Sequence, residues 1–378
     1  MLPATKTHRL SLADVVPSSL SALAGAQNPL ALPAADKAVV LLVDGLGSSQ
    51  LAARAGHART LAPLVTKSAV IGSRFPTTTA AALATLTTGA SSGTHGLVGY
   101  SVLDPAQDRV VNQLSGWEGD NKAGRLDPAT WQRVPTLFET AAVPTFSIGP
   151  ERYRDSGFTR AVLRGAEYRA GAAIADRFAA ARDILDGLDS GLLYVYVPEL
   201  DQAGHARGWE SPEWTRALED LDGEVGRFVA TLGRREGLLL TADHGMLDVP
   251  VSSHVLFDAD PGLLDGIRHV AGEPRALQLH FESDASAQHR ATVLERWQER
   301  EGSRSWIVSR REAIDSGWFG AVAPEVEPRI GDIVVAARKA VAYYTEASHA
   351  KNSMIGQHGS WTAEETSVPL LRFGAFAR

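Results

Sequence analysis

The sequence predicts an α/β fold, a mostly parallel sheet sandwiched by helices with a small α+β lobe inserted late in the chain. Two observations predict it. Short apolar runs alternate with longer amphipathic or alanine-rich segments, the pattern of strands joined by crossover helices. Between about Ser253 and Pro328 that texture gives way to a mixed one. KAVVLLVD (37–44) and SAVIGSRF (68–75) read as buried strands. The uncharged stretch TAAALATLTTG (79–89) that follows is rich in good helix formers and ends in a glycine suited to a helix C-terminus. VPTFSIG (143–149), GLLYVYVPELD (191–201) and GLLLTAD (237–243) read as further strands. In SPEWTRALEDLDGEVGRFVATL, Trp214, Leu218, Leu221, Val225, Phe228 and Leu232 recur at helical spacing, and Pro212 suits a first helical turn. RALQLHFE, a polar helical stretch from Ala285 to Glu301 and SWIVSRREAIDSGWFG make up the lobe, and GDIVVAA then returns to the core sheet. The expected organisation is a core over 1–252, an inserted cap lobe over 253–328 and the rest of the core over 329–378.

Composition narrows the function classes. The 378 residues are 44% hydrophobic and 21% charged, ordinary for a globular protein with room for a sizeable core. A formal charge of −7, from 44 acidic and 37 basic residues, gives no electrostatic footprint for binding along a polymeric nucleic acid. No run approaches the roughly 20 apolar residues of a membrane span, and the start lacks a basic end followed by an apolar core. A cytoplasmic location is expected. The absence of cysteine excludes disulfides, thiolate metal ligands and a cysteine nucleophile. Any metal must bind through nitrogen and oxygen.

The acidic and histidine residues fall where such a sheet collects its ligands, at the carboxyl ends of strands. Asp44 follows VVLLV, Asp201 follows LLYVYVPEL, and Asp243 with His244 follows GLLLTA. A lone strand-end Asp is more often a turn or capping residue; three at one edge are a candidate site. Asp201 and His205, four apart, reach one metal if a helix or turn begins there. Carboxylate and imidazole suit zinc, and also manganese or iron.

The ordered set of DG at Asp44, PTTT ending at Thr79, D-x-x-x-H at Asp201 and His205, DHGM from Asp243 and GQHG around His358 resembles the alkaline phosphatase superfamily. Within it the likeness is to the nucleotide pyrophosphatase/phosphodiesterase branch, and it spans nearly the whole chain. The resemblance implies an alkaline-phosphatase-like fold and a hydrolase of phosphate diester or pyrophosphate bonds. It implies one zinc on Asp201, His205 and His358, and a second on Asp44, Asp243 and His244. Thr79 would contact the second metal and attack phosphorus, giving a phosphothreonine that water then hydrolyses. That chemistry is physically reasonable. A threonine hydroxyl needs a metal or a base to become an alkoxide, and two ions about 4 Å apart stabilise entering and leaving oxygens. A helix N-terminus at Thr79 favours a phosphoryl group as well. The implied partner is a small phosphate ester, with a nucleotide as one case.

The remaining threonines have structural readings: Thr77 and Thr78 as turn or capping residues, and Thr85, Thr87 and Thr88 bonding back to the helix. His95 is read as structural or lining the site, and His254 and His349 lie near motif segments. His8, His57, His269, His280 and His289 have no partner at metal-ligand spacing. Where this branch carries an asparagine that holds a phosphate oxygen, the sequence has Tyr100. The substrate-binding candidates are therefore Tyr100 and Asn112. Arg74, Arg152, Arg154 and Arg160 are candidates for a cationic clamp, as a phosphate monoesterase or phosphonate hydrolase of the same superfamily would need. A sulfatase is disfavoured because the stretch lacks a Cys or Ser motif. A non-catalytic metal-binding scaffold is the alternative of another class. The lobe, with Trp306 and Trp318, is expected to cover the cleft and set leaving-group preference.

Overall fold

A computed structural model of the chain describes residues 2–3, 8–118, 124–351 and 354–377. The five apolar runs become strands β1 (Lys37–Val43), β2 (Val70–Gly72), β3 (Thr145–Gly149), β5 (Gly191–Val197) and β6 (Glu236–Thr241), and the mostly exposed stretch Glu167–Ala170, not expected as a strand, adds β4. The C-terminal strand Ser367–Gly374 joins them, giving a seven-stranded sheet. β1 lies between β5 and β6 and runs parallel to both, with Leu42 level with Tyr196 and with Thr241. β3 and β4 extend the parallel set, whereas Ser367–Gly374 pairs antiparallel with β6 and β2. β1 and β6 are buried along almost their whole length, which is why they read as continuous apolar runs without alternation.

Helices flank the sheet. The stretch from Thr79 becomes α1 (Thr79–Thr88), entered from Thr78 in an extended conformation and ended by Gly89 at φ 69°. All ten residues of α1 are buried, so its alanines allow close packing on every side rather than forming an apolar stripe. Ile174–Asp186 is α2, Glu199–Arg207 is α3 and Pro212–Val229 is α4. In α4 the Ser211 hydroxyl accepts from the Trp214 N–H, Pro212 sits in the first turn, and Trp214, Leu218, Leu221, Val225 and Phe228 are buried. The apolar spacing read from the sequence is the buried face.

The late segment forms a four-stranded antiparallel sheet of its own, in the spatial order β7 (Ile267–Glu273), β8 (Ala276–Phe281), Ile333–Ala337, Ser305–Ser309. A helix (Ala287–Glu301) packs on it, with Val293 and Trp297 in a separate apolar cluster. One expectation is corrected here. GDIVVAA does not return to the core sheet: Ile333–Ala337 lies between β8 and Ser305–Ser309. An apolar run with both faces buried satisfies either sheet, and only its cross-strand partners decide between them. Among the described residues, no helix is long and apolar enough to cross a membrane.

Candidate active site

The order β5, β1, β6 places three strand ends side by side, and each delivers a carboxylate. Asp44 follows β1 directly. Gly45 turns the chain at φ 72°, where an added Cβ would lie 2.8 Å from Met246 and 3.1 Å from Asp201. Its N–H donates to Asp243 Oδ1 at 3.1 Å, as does the His244 N–H at 3.0 Å. The Tyr196 hydroxyl, from β5, donates to Asp44 Oδ2. After β5 the chain passes directly into α3, so Asp201 and His205 lie one helical turn apart, with Oδ1 and Nε2 separated by 3.4 Å.

Two ligand sets result. Asp201, His205 and His358 bring ligand atoms within 4.8 Å of one another, and so do Asp44, Asp243 and His244. In the second set His244 Nε2 lies 3.5 Å from Asp44 Oδ1 and 3.3 Å from Asp243 Oδ2. The sets adjoin, since the His244 and His358 rings stack with centroids 3.6 Å apart. Thr79, first residue of α1, places its hydroxyl 3.3 Å from His244 Nε2.

The donor chemistry fits divalent cations. Asp44 Oδ1, Asp201 Oδ1 and Asp243 Oδ2 are buried without a hydrogen-bond partner, and these are the oxygens that face the histidines. Each histidine places Nδ1 on a carbonyl: His205 on Gly356 and His358 on Thr77, both at 2.8 Å, and His244 on Gly245 at 3.1 Å. A carbonyl only accepts, so Nδ1 carries the proton and Nε2 presents a lone pair. His205 Nε2 and His358 Nε2 are 3.2 Å apart and neither has a proton to share, an arrangement a cation resolves. Burial, then the neighbouring Asp243 and Asp201, pushes the Asp44 carboxyl well above its usual range. Burial, then His244 and His205, holds the His358 imidazole well below its own. Both directions are those of a crowded ligand set without its counter-charge.

A cavity of about 700 Å³ opens over the two sets. Its lining comes from two parts of the fold. One runs along the sheet, where the register sets Ser147 between Tyr168 and Tyr194 and adds Tyr196, Phe158 and Leu163. The other lies under the late antiparallel sheet, with Phe257, Val270, Glu273, Leu277 and Tyr344. Among the described residues that line it there is no lysine or arginine.

The structure places the other candidates unequally. Tyr100 lines the cavity and is 38% exposed. Asn112 does not line it; its Oδ1 caps the backbone N–H groups of Leu114 and Ser115. The four clamp arginines are also elsewhere. Arg74 reaches Ser11, Arg152 the Tyr153 hydroxyl, Arg154 Glu151 and Arg160 Glu118. His95 is buried against the Thr85 hydroxyl, with burial lowering its pKa to about 3, and it lines no part of the cavity. His254 and His349 contact each other at 3.1 Å. Trp318 packs edge-on against Phe75 and Trp361 behind the site rather than over it. Thr87 and Thr88 bond back to Leu83 and Ala84 as expected.

Three positions around the site escaped the sequence reading. Thr77 does more than turn the chain: its hydroxyl donates to Ser360 O at 2.8 Å and accepts from Gly359 N at 3.0 Å, while its carbonyl holds His358. Tyr196 orients Asp44, and the Y-x-Y of β5 is the signal that was available, two polar tips on one strand face. Glu273 is an acid at the end of the strand IRHVAGE, where no apolar run marked it.

Comparisons with known proteins show the family and the fold. The profile of a family described as type I phosphodiesterase / nucleotide pyrophosphatase matches residues 38–361. An uncharacterised pyrophosphatase/phosphodiesterase of Schizosaccharomyces pombe is 26% identical over 277 residues, 67% of this chain and 53% of that protein. A phosphopentomutase of Anaeromyxobacter dehalogenans is 34% identical over 118 residues, so the chain spans only 28% of it. Among solved structures, murine ectonucleotide pyrophosphatase / phosphodiesterase 5, as an inactive threonine-to-alanine variant in complex with AMP, superposes with a TM-score of 0.65 at 16% identity. That match covers 90% of this chain and 88% of the other. Phosphonoacetate hydrolase from Sinorhizobium meliloti in complex with phosphonoformate gives 0.68 at 18% identity, covering 90% and 91%.

Proposed function

The chain belongs to the type I phosphodiesterase / nucleotide pyrophosphatase family, and on that premise we propose that it hydrolyses phosphodiester or pyrophosphate bonds of small substrates, nucleotides included, with Thr79 as nucleophile. The observation that carries this reading is the position of the Thr79 hydroxyl. It heads a buried helix, faces the cavity and lies 3.3 Å from the Nε2 lone pair of His244, where the two ligand sets meet. The inactive threonine-to-alanine variant of the murine neighbour supports it.

Asp201, His205 and His358 would hold one divalent ion and Asp44, Asp243 and His244 a second, with zinc suited to this nitrogen and oxygen set. Such ions lower the pKa of the Thr79 hydroxyl and balance charge on the phosphoryl oxygens. Thr79 Oγ1 then bonds to phosphorus as the bond to the leaving oxygen breaks, and water later cleaves the phosphothreonine and restores the hydroxyl. At the start of α1 the backbone N–H groups point out of the helix end toward the phosphoryl oxygens.

One feature favours a diester over a monoester: a monoester dianion calls for a further cation, and the described lining holds no lysine or arginine. The same lack of a cationic lining residue disfavours a carboxylate-bearing phosphonate. The test is a rate comparison on zinc-loaded protein of bis-p-nitrophenyl phosphate, a nucleotide p-nitrophenyl ester and p-nitrophenyl phosphate, alongside Thr79→Ala. Faster turnover of the monoester than of both diesters would overturn the diester reading, and activity retained in Thr79→Ala would overturn the nucleophile.

A further inference from the structure

Two arginines of the loop ERYRDSGFTR, which stand away from both metal-ligand sets, gather instead in a neighbouring cleft. It measures about 400 Å³, and Arg154, Arg160 and Arg164 line it together with one acid, Asp127. Ser147, Thr159, Leu163 and Tyr168 line both this cleft and the cavity over the ligand sets, so the two adjoin across those four residues. Each guanidinium is held in place without being used up. Arg154 gives Nε and Nη2 to Glu151 and Nη1 to the Tyr168 carbonyl, and lies 5.2 Å from the centroid of the Tyr168 ring. Arg164 gives Nη1 and Nη2 to the carbonyls of Ala161 and Val134 and pairs through Nε with Glu139 at 2.8 Å. Arg160 gives Nη2 to Glu118 at 2.7 Å, a carboxylate it shares with Arg125 Nε at 3.3 Å. A guanidinium carries five N–H groups, so all three keep donors beyond these bonds. Glu118, Glu139 and Glu151 do not line the cleft, and Asp127 Oδ1 accepts from the Ala129 N–H at 3.2 Å.

Three guanidiniums around one small cleft repel one another unless an anion sits among them. Their planar forks match the oxygens of a phosphate, each taking two at once. Ser147 adds a hydroxyl on the wall between the two cavities. It is 1% exposed and its Oγ has no hydrogen-bond partner, which an incoming oxygen would supply. The cavity over the ligand sets, by contrast, has no lysine or arginine among its described lining residues. We propose that the arginine cleft is a second binding site, which takes a phosphate group other than the one that reacts at Thr79. That phosphate is either the far end of a substrate substituent reaching past Tyr168 or free inorganic phosphate, and the chemistry of recognition is the same for both. The inference goes beyond the hydrolase reading, since the cleft holds a phosphate whether or not the neighbouring site cleaves one.

The test uses two diesters with the same p-nitrophenolate leaving group and a hexanediol substituent, which ends in a phosphate in one and in a free hydroxyl in the other. The zinc-loaded protein is expected to favour the phosphate-ended ester in kcat/KM by about tenfold or more, the range of a charge-assisted contact. Arg160→Gln, at a side chain that is 42% exposed, brings that ratio close to one and leaves turnover of the hydroxyl-ended ester unchanged. Arg160→Lys, which keeps the charge, retains part of the ratio. Arg169→Gln removes the same charge from β4 outside the cleft and should not change it. A second readout needs no turnover: calorimetry with inorganic phosphate should show a binding event that is lost in Arg160→Gln and kept in Arg169→Gln. A ratio that depends on Arg160 assigns the cleft to the far phosphate of a substrate, and an Arg160-dependent calorimetric event without such a ratio assigns it to free phosphate; either supports the proposal. A parent protein with neither overturns it, as does a preference that Arg160→Gln leaves intact or that Arg169→Gln lowers equally. Hydrolysis of neither ester would defeat the hydrolase reading itself, and the calorimetric titration then decides the cleft alone.

Discussion

Thr77→Val removes one oxygen and keeps the shape of the side chain, which isolates what that hydroxyl does. It donates to the Ser360 carbonyl at 2.8 Å and accepts from the Gly359 N–H at 3.0 Å, and all three residues are buried. The isosteric methyl leaves both backbone groups without that partner in a buried site. At about 1–3 kcal/mol for each stranded group, the expected destabilisation is about 2–4 kcal/mol, allowing for some relaxation. The same two bonds fix the backbone immediately after His358, whose own Nδ1 is held by the Thr77 carbonyl. Zinc affinity at the Asp201, His205 and His358 set is therefore expected to fall about ten- to a hundredfold, the usual effect of losing a group that orients a ligand. Competition against a chelator gives the affinity, thermal unfolding of the metal-loaded protein gives the stability, and Thr77→Ser should restore most of both. If Thr77→Val matches the parent in zinc affinity and melting temperature, the hydroxyl does not organise the His358 loop.

Other substitutions separate the parts of the site. His358→Ala and Asp243→Asn each remove a ligand from a different set, so elemental analysis should show about one zinc fewer per chain in each; full occupancy would take that residue out of the coordination shell. Tyr196→Phe removes the donor to Asp44 Oδ2, and about a tenfold loss of affinity at the Asp44, Asp243 and His244 set is expected by chelator competition. The Glu236 carboxyl is held down to about 2 by Arg182 first, with the Gly233 N–H and Lys37 assisting. A depressed acid stabilises the fold above its unfolded pKa, and that contribution is lost as pH falls from about 4.5 toward 2. Glu236→Gln should thus cost on the order of 3 kcal/mol near neutral pH, with the gap to the parent closing as pH falls through that window in denaturant titrations.

Much of this was legible because it is local. β1, β5 and β6 are fixed by apolar runs of strand length, α4 by its 3.6-residue spacing, and the start and end of α1 by extended Thr78 and by Gly89. Most of the candidate metal ligands could be read because carboxylates at strand ends, and an Asp–His pair one turn apart, are short-range patterns; His358 was reached only through the family resemblance. The placement of Ile333–Ala337 could not, since an apolar strand carries no mark of which sheet will pair with it. Arg74 was judged by its closeness in sequence to Thr79, Arg152, Arg154 and Arg160 by their clustering in one loop, and Asn112 as a substitute for the asparagine of the family; each is drawn off by a nearer partner, such as Glu151 for Arg154 or the Leu114 N–H for Asn112.

By itself, then, the sequence determined the alternation of strands and helices, the side of the sheet on which ligands gather, and the identity of the residues able to bind a metal. Only the tertiary structure decided that Thr77 grips Ser360 from 283 positions away, that Tyr196 serves Asp44, and that the cavity has no lysine or arginine among its described lining residues. The physical reason is that backbone propensity and apolar periodicity act over a few residues, whereas a hydrogen bond or an unmatched charge depends on which distant groups packing brings within about 3 Å.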